Sequence, residues 1–359
     1  MDKNNNNWEF DLDEYIKEGE PDRVEKSKSW KTAIGLQDVD GLKTSSYLLD
    51  TAKDHIEGKI DIKTAKKRVV SYYEEKKNRE KIEKDTKEAD IVSTRIAELL
   101  GERTFNFSPI ELKNIHERLF LDIFDHAGKY RNYNITKREW VLNGETVLYS
   151  SFNSITETLN YDFSQEQNFS YDNLSSKETI KHIAKFTSNI WQIHPFCEGN
   201  TRTTAVFIIK YLKTFGFNVN NEIFAEYSWY FRNALVRANY NDLQNNIIST
   251  DNYLIQFFEN LLLDANNELK NRYLHIDYKN KVNSVIQSAS IDDSKCKNCT
   301  LEEMAIINEL KNNPSITQEE LAKKIGKSVR TIKNRTVEMQ NKGLIKRNNG
   351  KRDGNWEVL

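Results

Sequence analysis

Four prolines and thirteen glycines in 359 residues leave few points at which this chain is forced to turn or break. Apolar residues recur at helical spacing almost throughout, so a mainly α architecture is expected. Three cysteines exclude a disulfide-stapled scaffold. Cys197 stands alone, and Cys296-Lys297-Asn298-Cys299, with no second Cys or His pair after it, reads as two linker thiols rather than half of a zinc site or a redox couple. No run of about 18 apolar residues offers a membrane span. The start, Met1-Asp2-Lys3 and four asparagines, lacks the apolar core of a signal peptide, so a cytoplasmic protein with no membrane partner is expected. A formal charge of -1 points to no class of partner, and the length suffices for two or three domains with their own cores.

Against this background one segment is dense in chemistry. Residues 194–202 read His-Pro-Phe-Cys-Glu-Gly-Asn-Thr-Arg, between an amphipathic run ending at Ile193 and another opening at Thr203. The Gly-Asn-Thr turn therefore falls at a helix N-terminus, where unpaired backbone N–H groups and the helix dipole attract phosphate. His194 can accept a proton from an attacking hydroxyl, and Glu198 offers a hard oxygen to a magnesium ion held mainly by substrate phosphates. Gly199 lets the backbone approach an anion, Asn200 brings an amide donor, and Arg202 brings a forked cation. Phosphoryl-type transfer needs mostly positioning and charge neutralisation. A helix-loop-helix corner with a buried histidine is the plainer alternative, and the combined segment outweighs it.

The segment resembles the motif of the Fic family, His-Pro-Phe-x-(Asp/Glu)-Gly-Asn-Gly-Arg-x-x-Arg, whose members transfer AMP from ATP to a target hydroxyl. The resemblance implies His194 as base, Glu198 as the Mg²⁺ ligand, and Gly199, Asn200, Thr201 and Arg202 as the anion cradle. Thr201 stands where the second glycine is usual, and Ala205 where the second arginine, which grips the γ-phosphate, is usual. An arginine restored at 205 would then be expected to strengthen nucleotide binding. Phe124-Asp125-His126-Ala127-Gly128-Lys129-Tyr130-Arg131 resembles the Fic segment ahead of the substrate-binding hairpin. Glu139 to Leu142, Asn143-Gly144, and Glu145 to Tyr149 form the strongest strand-turn-strand signal in the chain, because Asn-Gly favours the φ > 0 turn of a tight hairpin. Such an edge could pair with a target segment through Asn143, Gly144, Thr146, Val147 and Leu148, as the flap of Fic proteins does. The run Ser228 to Asn239 is aromatic-rich and mostly core; the resemblance implies Leu235 and Asn239 as nucleoside contacts, with Arg232 where a tyrosine is expected.

Four regions follow: a small helical module with a charged linker (1–88), the segment bearing the active-site loop (89–275), a polar linker (276–300), and a C-terminal module (301–359). In the last, Thr317 to Glu320 has capping-box spacing, and the order of helices ending in Gly343-Leu344-Ile345 resembles a winged helix-turn-helix. Arg330, Lys333 and Arg335 lie on its recognition helix, and Lys346, Arg347, Lys351 and Arg352 flank the wing turn at Asn349-Gly350, a clustering suited to phosphate contacts on DNA. The fold class expected is a Fic-type helical bundle with a β-hairpin flap, a small N-terminal helical module and a winged helix.

The N-terminal run Leu36 to Leu42 and the helices to Tyr73 look like a small Fic antitoxin domain fused to its toxin. Fic enzymes are silenced by (Ser/Thr)-x-x-x-Glu-(Gly/Asn), whose glutamate pairs with the second arginine; here Leu36 replaces the serine and Asp40 the glutamate, while Ala205 removes the arginine. Inhibition, if any, would then work through another contact. Glu98, in Thr94-Arg95-Ile96-Ala97-Glu98, fits the spacing but reads as a helix-surface carboxylate. The first function expected is Mg²⁺- and ATP-dependent AMP transfer to a Ser, Thr or Tyr of a target protein, possibly the chain itself, with a DNA-binding tail. Transfer of phosphate or another nucleotide moiety, or removal of AMP, is the second; a catalytically degenerate transcription regulator is the third. A second copy of the chain is a further candidate partner.

Overall fold

The computed structural model describes residues 7–75, 86–172, 174–217, 219, 222–278, 301–348 and 354–359. The Cys296–Cys299 pair and the wing turn with Lys351 and Arg352 lie outside them. The fold is mainly helical, with distinct N- and C-terminal modules and one small β-hairpin among the described residues.

The N-terminal elements are α1 (Asn7–Glu18), α2 (Pro21–Gly35), a 3-10 turn (Leu36–Asp40), α3 (Ser46–Ile56) and α4 (Ile62–Glu75). Pro21 opens α2 at a position where its missing N–H costs nothing. Gly41, at φ 68, ends the 3-10 turn in the left-handed region that favours glycine. Ser45 caps α3 by accepting from Leu48 N–H.

Helix α5 (Lys87–Gly101) is the wall these elements share with the central bundle, since it packs on α2 and α4 as well as on α6 (Pro109–Phe120) and α9 (Asn200–Thr214). Its buried Asp90 accepts from Ser45 N–H (2.8 Å), the Ser45 hydroxyl and the Tyr73 hydroxyl (2.6 Å), tying α3 and α4 to it. Its far end is capped from α9: Lys210 Nζ donates to Leu99 O (2.8 Å) and Lys213 Nζ to Leu100 O (3.0 Å). Cations there meet the carbonyls a helix C-terminus leaves unpaired. Burial pushes the Lys210 ammonium down to about 8.

Helix α9 is central. Every residue from Asn200 to Leu212 is buried, with α6, α8 (Ser176–Ile193) and α5 around it. Helices α7 (Ile155–Asn168), α10 (Glu222–Ala238) and α11 (Asn252–Leu263) complete the bundle. One hydrophobic core runs from Leu12 through the bundle to Trp356.

The segment 139–149 turns back at Asn143 (φ 57) and Gly144 (φ 89), as the Asn-Gly signal requires, but forms no strand ladder. Trp140–Leu142 is a 3-10 turn, and the arms are joined at the turn by Glu139 N–H to Glu145 O (3.0 Å) and Glu145 N–H to Leu142 O (3.0 Å). The reason is burial: Glu139, Val141 and Leu142 all face inward, whereas a strand would alternate them.

The C-terminal module has α12 (Leu301–Asn312), α13 (Gln318–Ile325), α14 (Val329–Asn341), β1 (Ile345–Asn348) and β2 (Asn355–Val358), the strands pairing antiparallel with Arg347 opposite Trp356. The Thr317–Glu320 capping box is formed. The module rests on the bundle: Asn308 donates to Leu262 O (2.5 Å), and Ile325 packs so close to Gly216 that a Cβ there would lie 2.4 Å from it.

At Gly35 a Cβ would meet the Ala225 backbone at 2.3 to 2.7 Å, so only glycine lets α2 lie this close to α10. Gly35→Ala should destabilise the fold by about 1–3 kcal/mol through overpacking, read as a lower urea midpoint.

Candidate active site

The loop between α8 and α9 is held open at one end and closed at the other. His194 caps α8 in the left-handed region (φ 49), which a non-glycine residue adopts only when its surroundings enforce it. The enforcement comes from Arg131, whose guanidinium donates to His194 O (2.7 Å), Ile193 O (3.2 Å), Tyr133 O (2.9 Å) and Ser150 O, while its own N–H donates to Pro195 O (2.9 Å). At the other end Asn200 Oδ1 accepts from Phe196 N–H (3.0 Å) and its Nδ2 donates to Phe196 O (2.8 Å). The Asn200 side chain therefore closes the loop on itself, and the donors it leaves for an anion are backbone amides.

Gly199 (φ 75) is required twice, since a Cβ would also stand 2.3 Å from the Phe120 ring. The first intrahelical bond of α9 runs from Thr203 N–H to Gly199 O (3.0 Å), so the amides of Asn200, Thr201 and Arg202 precede it. The Thr201 hydroxyl points away from that amide rim, accepting from Trp191 Nε1 (3.0 Å). Beneath the loop, His116 accepts from Gly128 N–H at Nδ1 (2.9 Å), which fixes the proton on Nε2, and that N–H faces Glu198 O (3.1 Å). Its ring stacks on Phe196 at 3.7 Å.

The His194 ring is 3% exposed, with Tyr149 4.2 Å away and Trp191 edge-on at 5.2 Å. Nδ1 lies 3.3 Å from Trp191 O; Nε2 makes no hydrogen bond among the described residues and is not among the sealed, unpaired polar atoms. Burial, then the nearby Lys137 ammonium, hold its pKa well below the usual imidazole value, so it is an unprotonated acceptor at neutral pH.

Glu198 is half exposed, and its carboxylate takes Lys137 Nζ at 2.7 Å. Arg202 is 1% exposed and is claimed by the N-terminal elements. Nη1 donates to Gln37 Oε1 (3.0 Å), Nη2 to Glu88 Oε1 (2.7 Å), and Nε lies 2.8 Å from Asp40 Oδ2, an ion-pair contact whose angle falls short of a hydrogen bond. Phe120 supplies a ring face 4.8 Å from the guanidinium. Asp40 thus reaches the site, but at Arg202. Gln37 and Glu88 carry no motif that would have marked them; their role comes from the turn after α2 and the start of α5 meeting above α9.

Ala205 has no exposed surface. A guanidinium would have to displace core packing and be buried before it met a phosphate. Leu235 also lies wholly in the core and presents nothing to a nucleoside in this conformation; Asn239 donates to Ser188 Oγ (2.9 Å) and Leu235 O (2.9 Å). Of the flap residues, Val147 is buried, Leu148 is 83% exposed with its carbonyl fixed by Gln192 (3.0 Å), Thr146 Oγ1 accepts from Lys137 N–H (3.1 Å), and Asn143 donates to Asp277 (2.6 Å). Arg232, noted as a replacement, holds buried Glu139 with two contacts (2.9 and 3.0 Å) and Val39 O (3.0 Å), tying flap to N-terminal turn. Glu98 pairs with Lys66 (2.6 Å) and Arg118 (3.5 Å). In the C-terminal module Arg330, Lys333 and Lys346 are exposed, whereas Arg335 pairs with Glu302 and Glu338 and Arg347 covers Trp356, so the last two serve the module itself.

Burial pulls His116 down to about 3, and His194 is lowered in the same direction. An unfolded histidine titrates near 6.5, so below that pH the unfolded chain takes up protons that these rings refuse. The stability they confer is present above pH 6.5 and is lost as pH falls towards their folded values, by roughly 1 kcal/mol per pH unit for each ring. The urea midpoint should drop between pH 7 and pH 5, and His116→Gln should flatten that slope.

Residues 106–212 match the Fic/DOC family, and residues 303–346 match the winged helix-turn-helix DNA-binding family. A curated relative, protein adenylyltransferase VbhT of Bartonella schoenbuchensis, is 26% identical over 173 residues, 46% of this chain and 33% of the relative, so the chain spans about a third of that protein's length. The crystal structure of a Fic family protein from Desulfovibrio desulfuricans G20 aligns over 98% of this chain and 95% of its own, with a TM-score of 0.40 and 13% identity, a likeness too loose to carry detail. This chain carries a Fic/Doc domain built around the His194 loop, followed by a C-terminal winged-helix domain.

Proposed function

We propose that the chain transfers AMP from ATP to a hydroxyl side chain of a protein, and that its N-terminal elements hold the site shut. The observation that carries the reading is the loop itself: an unprotonated imidazole with Nε2 unengaged, a half-exposed carboxylate, and a rim of helix N-terminal amides on nine consecutive residues. In the reaction, His194 accepts the proton of the attacking hydroxyl as its oxygen bonds to the α-phosphorus. The bond from that phosphorus to the bridging oxygen breaks, and pyrophosphate leaves while the amides of Asn200 to Arg202 stabilise the phosphate oxygens.

The residues fit a magnesium ion that arrives with nucleotide. Among the described residues no group of three or more His, Cys, Asp or Glu could cage a metal, and Glu198 offers one hard carboxylate, the kind of site Mg²⁺ uses when phosphates supply its other ligands. Bound there, the ion would neutralise phosphate charge.

The closed state follows from Arg202. Its guanidinium cannot grip phosphate while Gln37, Asp40 and Glu88 hold it, so the N-terminal module acts as a built-in antitoxin through a different arginine from the one its motif anticipates. Loss of Ala205's counterpart cation leaves the orientation of the nucleotide to be set by other groups, so phosphate transfer is the second reading, and α- against γ-labelled ATP separates them. Label from the α position should enter protein with Mg²⁺ present, be abolished in His194→Ala, and rise at least about tenfold in Asp40→Asn/Glu88→Gln if the clamp is worth 1.4 kcal/mol or more. No label from either position in wild type or the unclamped chain would leave only a DNA-binding regulator.

The winged helix is proposed to bind DNA through Arg330, Lys333 and Lys346. Alanine at each should weaken binding on all sequences and lower the slope of log K against log salt by about one, while Arg335→Ala should act mainly on stability.

A further inference from the structure

We propose that Lys137 is a phosphate-binding residue of the donor site, resting on Glu198 until a magnesium-bound nucleotide takes that carboxylate. The inference deepens the nucleotide-transfer reading and rests on it. Among the described residues, three arginines near the loop are committed to other partners. Arg131 gives its donors to backbone carbonyls, Arg232 to Glu139 and Val39 O, and Arg202 to the N-terminal clamp. Ala205 contributes no charge. Lys137 differs in its partner: its ammonium sits on the half-exposed carboxylate that the reading assigns to the metal, at 2.7 Å, with the lysine side chain 23% exposed.

Its placement is enforced. The backbone N–H of Lys137 donates to Thr146 Oγ1 across the flap (3.1 Å), and the side chain spans from the flap to the head of α9. The same ammonium is close enough to His194 to disfavour a proton on the ring. It therefore sits on the carboxylate at the head of α9, where its charge is felt at the base. A divalent ion held by Glu198 would repel the ammonium and take its partner, and phosphate oxygens carried in with the ion would offer new acceptors. Lysine serves as a point charge for phosphate in this way without the bidentate geometry of arginine. In the transfer step it would neutralise charge gathering on the departing pyrophosphate; the proton still goes to His194.

The test is calorimetric titration of the full chain with Mg-ATP, magnesium pyrophosphate and adenosine, in wild type and in the Asp40→Asn/Glu88→Gln background, so that the clamp does not mask binding. Lys137→Gln should weaken ATP and pyrophosphate at least tenfold, leave adenosine unchanged, and lower kcat more than it raises KM; Lys137→Arg should recover most of the phosphate affinity. ATP and pyrophosphate binding that Lys137→Gln leaves within twofold overturns the proposal and spares the nucleotide reading. Absence of Mg-ATP binding in both backgrounds with Lys137 intact overturns the two together.

Discussion

A buried guanidinium organises this molecule. Arg202 sits at the first turn of the central helix with almost no access to water, and a charge in that position must be matched by partners or it destabilises the fold by several kcal/mol. Its partners come from two elements distant in sequence, the 3-10 turn after α2 and the first turn of α5. Docking of the N-terminal module and burial of Arg202 are therefore one event. The close approach of α2 to α10 at Gly35 sets where that turn can lie, and Gly41 sets where it stops. A phosphate approaching Arg202 would have to compete with three preformed contacts.

The rest of the loop follows a second constraint: every polar side chain that could blur its shape is engaged. Asn200 closes on Phe196, Thr201 is held by Trp191, His116 bridges Gly128 to Glu198, and Arg131 fixes the strained backbone of His194. Among the described residues Nε2 of His194 makes no hydrogen bond, and the carboxylate of Glu198 is half exposed. Rigid surroundings around a few available groups are what positioning catalysis needs. The low proton affinity of His194 has a cost in driving force, because a weak base accepts a proton less readily; burial lowers it most, and the Lys137 ammonium adds to it.

The loop, the helices flanking it and the winged module were legible because each is written in local signals: His194 to Arg202 in consecutive residues, Thr317 and Glu320 at capping-box spacing, apolar residues at helical period. The flap was half legible. Asn143-Gly144 forced the turn, but Glu139 is drawn inward by Arg232, 93 residues later, and a pattern reader sees no reason for that burial. Gln37, Glu88 and Lys137 were invisible for the same reason, since a polar side chain gains a role only through the partner that tertiary structure brings to it. Leu235 shows the opposite case: a position the family pattern implies as a nucleoside contact is buried in the core here, a placement that spacing alone does not disclose.

The departures at 40 and 205 make sense together once charge is followed rather than position. An inhibitory carboxylate can act only where a cation receives it, and Ala205 offers none. Asp40 is one methylene shorter than glutamate, and in a 3-10 turn its oxygen reaches Arg202, one helical turn earlier along α9. Glu88 supplies a second carboxylate on the other side of the guanidinium. Restoring glutamate at 40 without an arginine at 205 would lengthen a side chain whose partner is already at contact distance, so the two sites are coupled and neither motif residue can be restored alone. The winged module rests on the same body through Asn308 and Ile325, while its exposed cations Arg330, Lys333 and Lys346 make no ion pair among the described residues. The contacts that hold Arg202 thus engage none of these three cations.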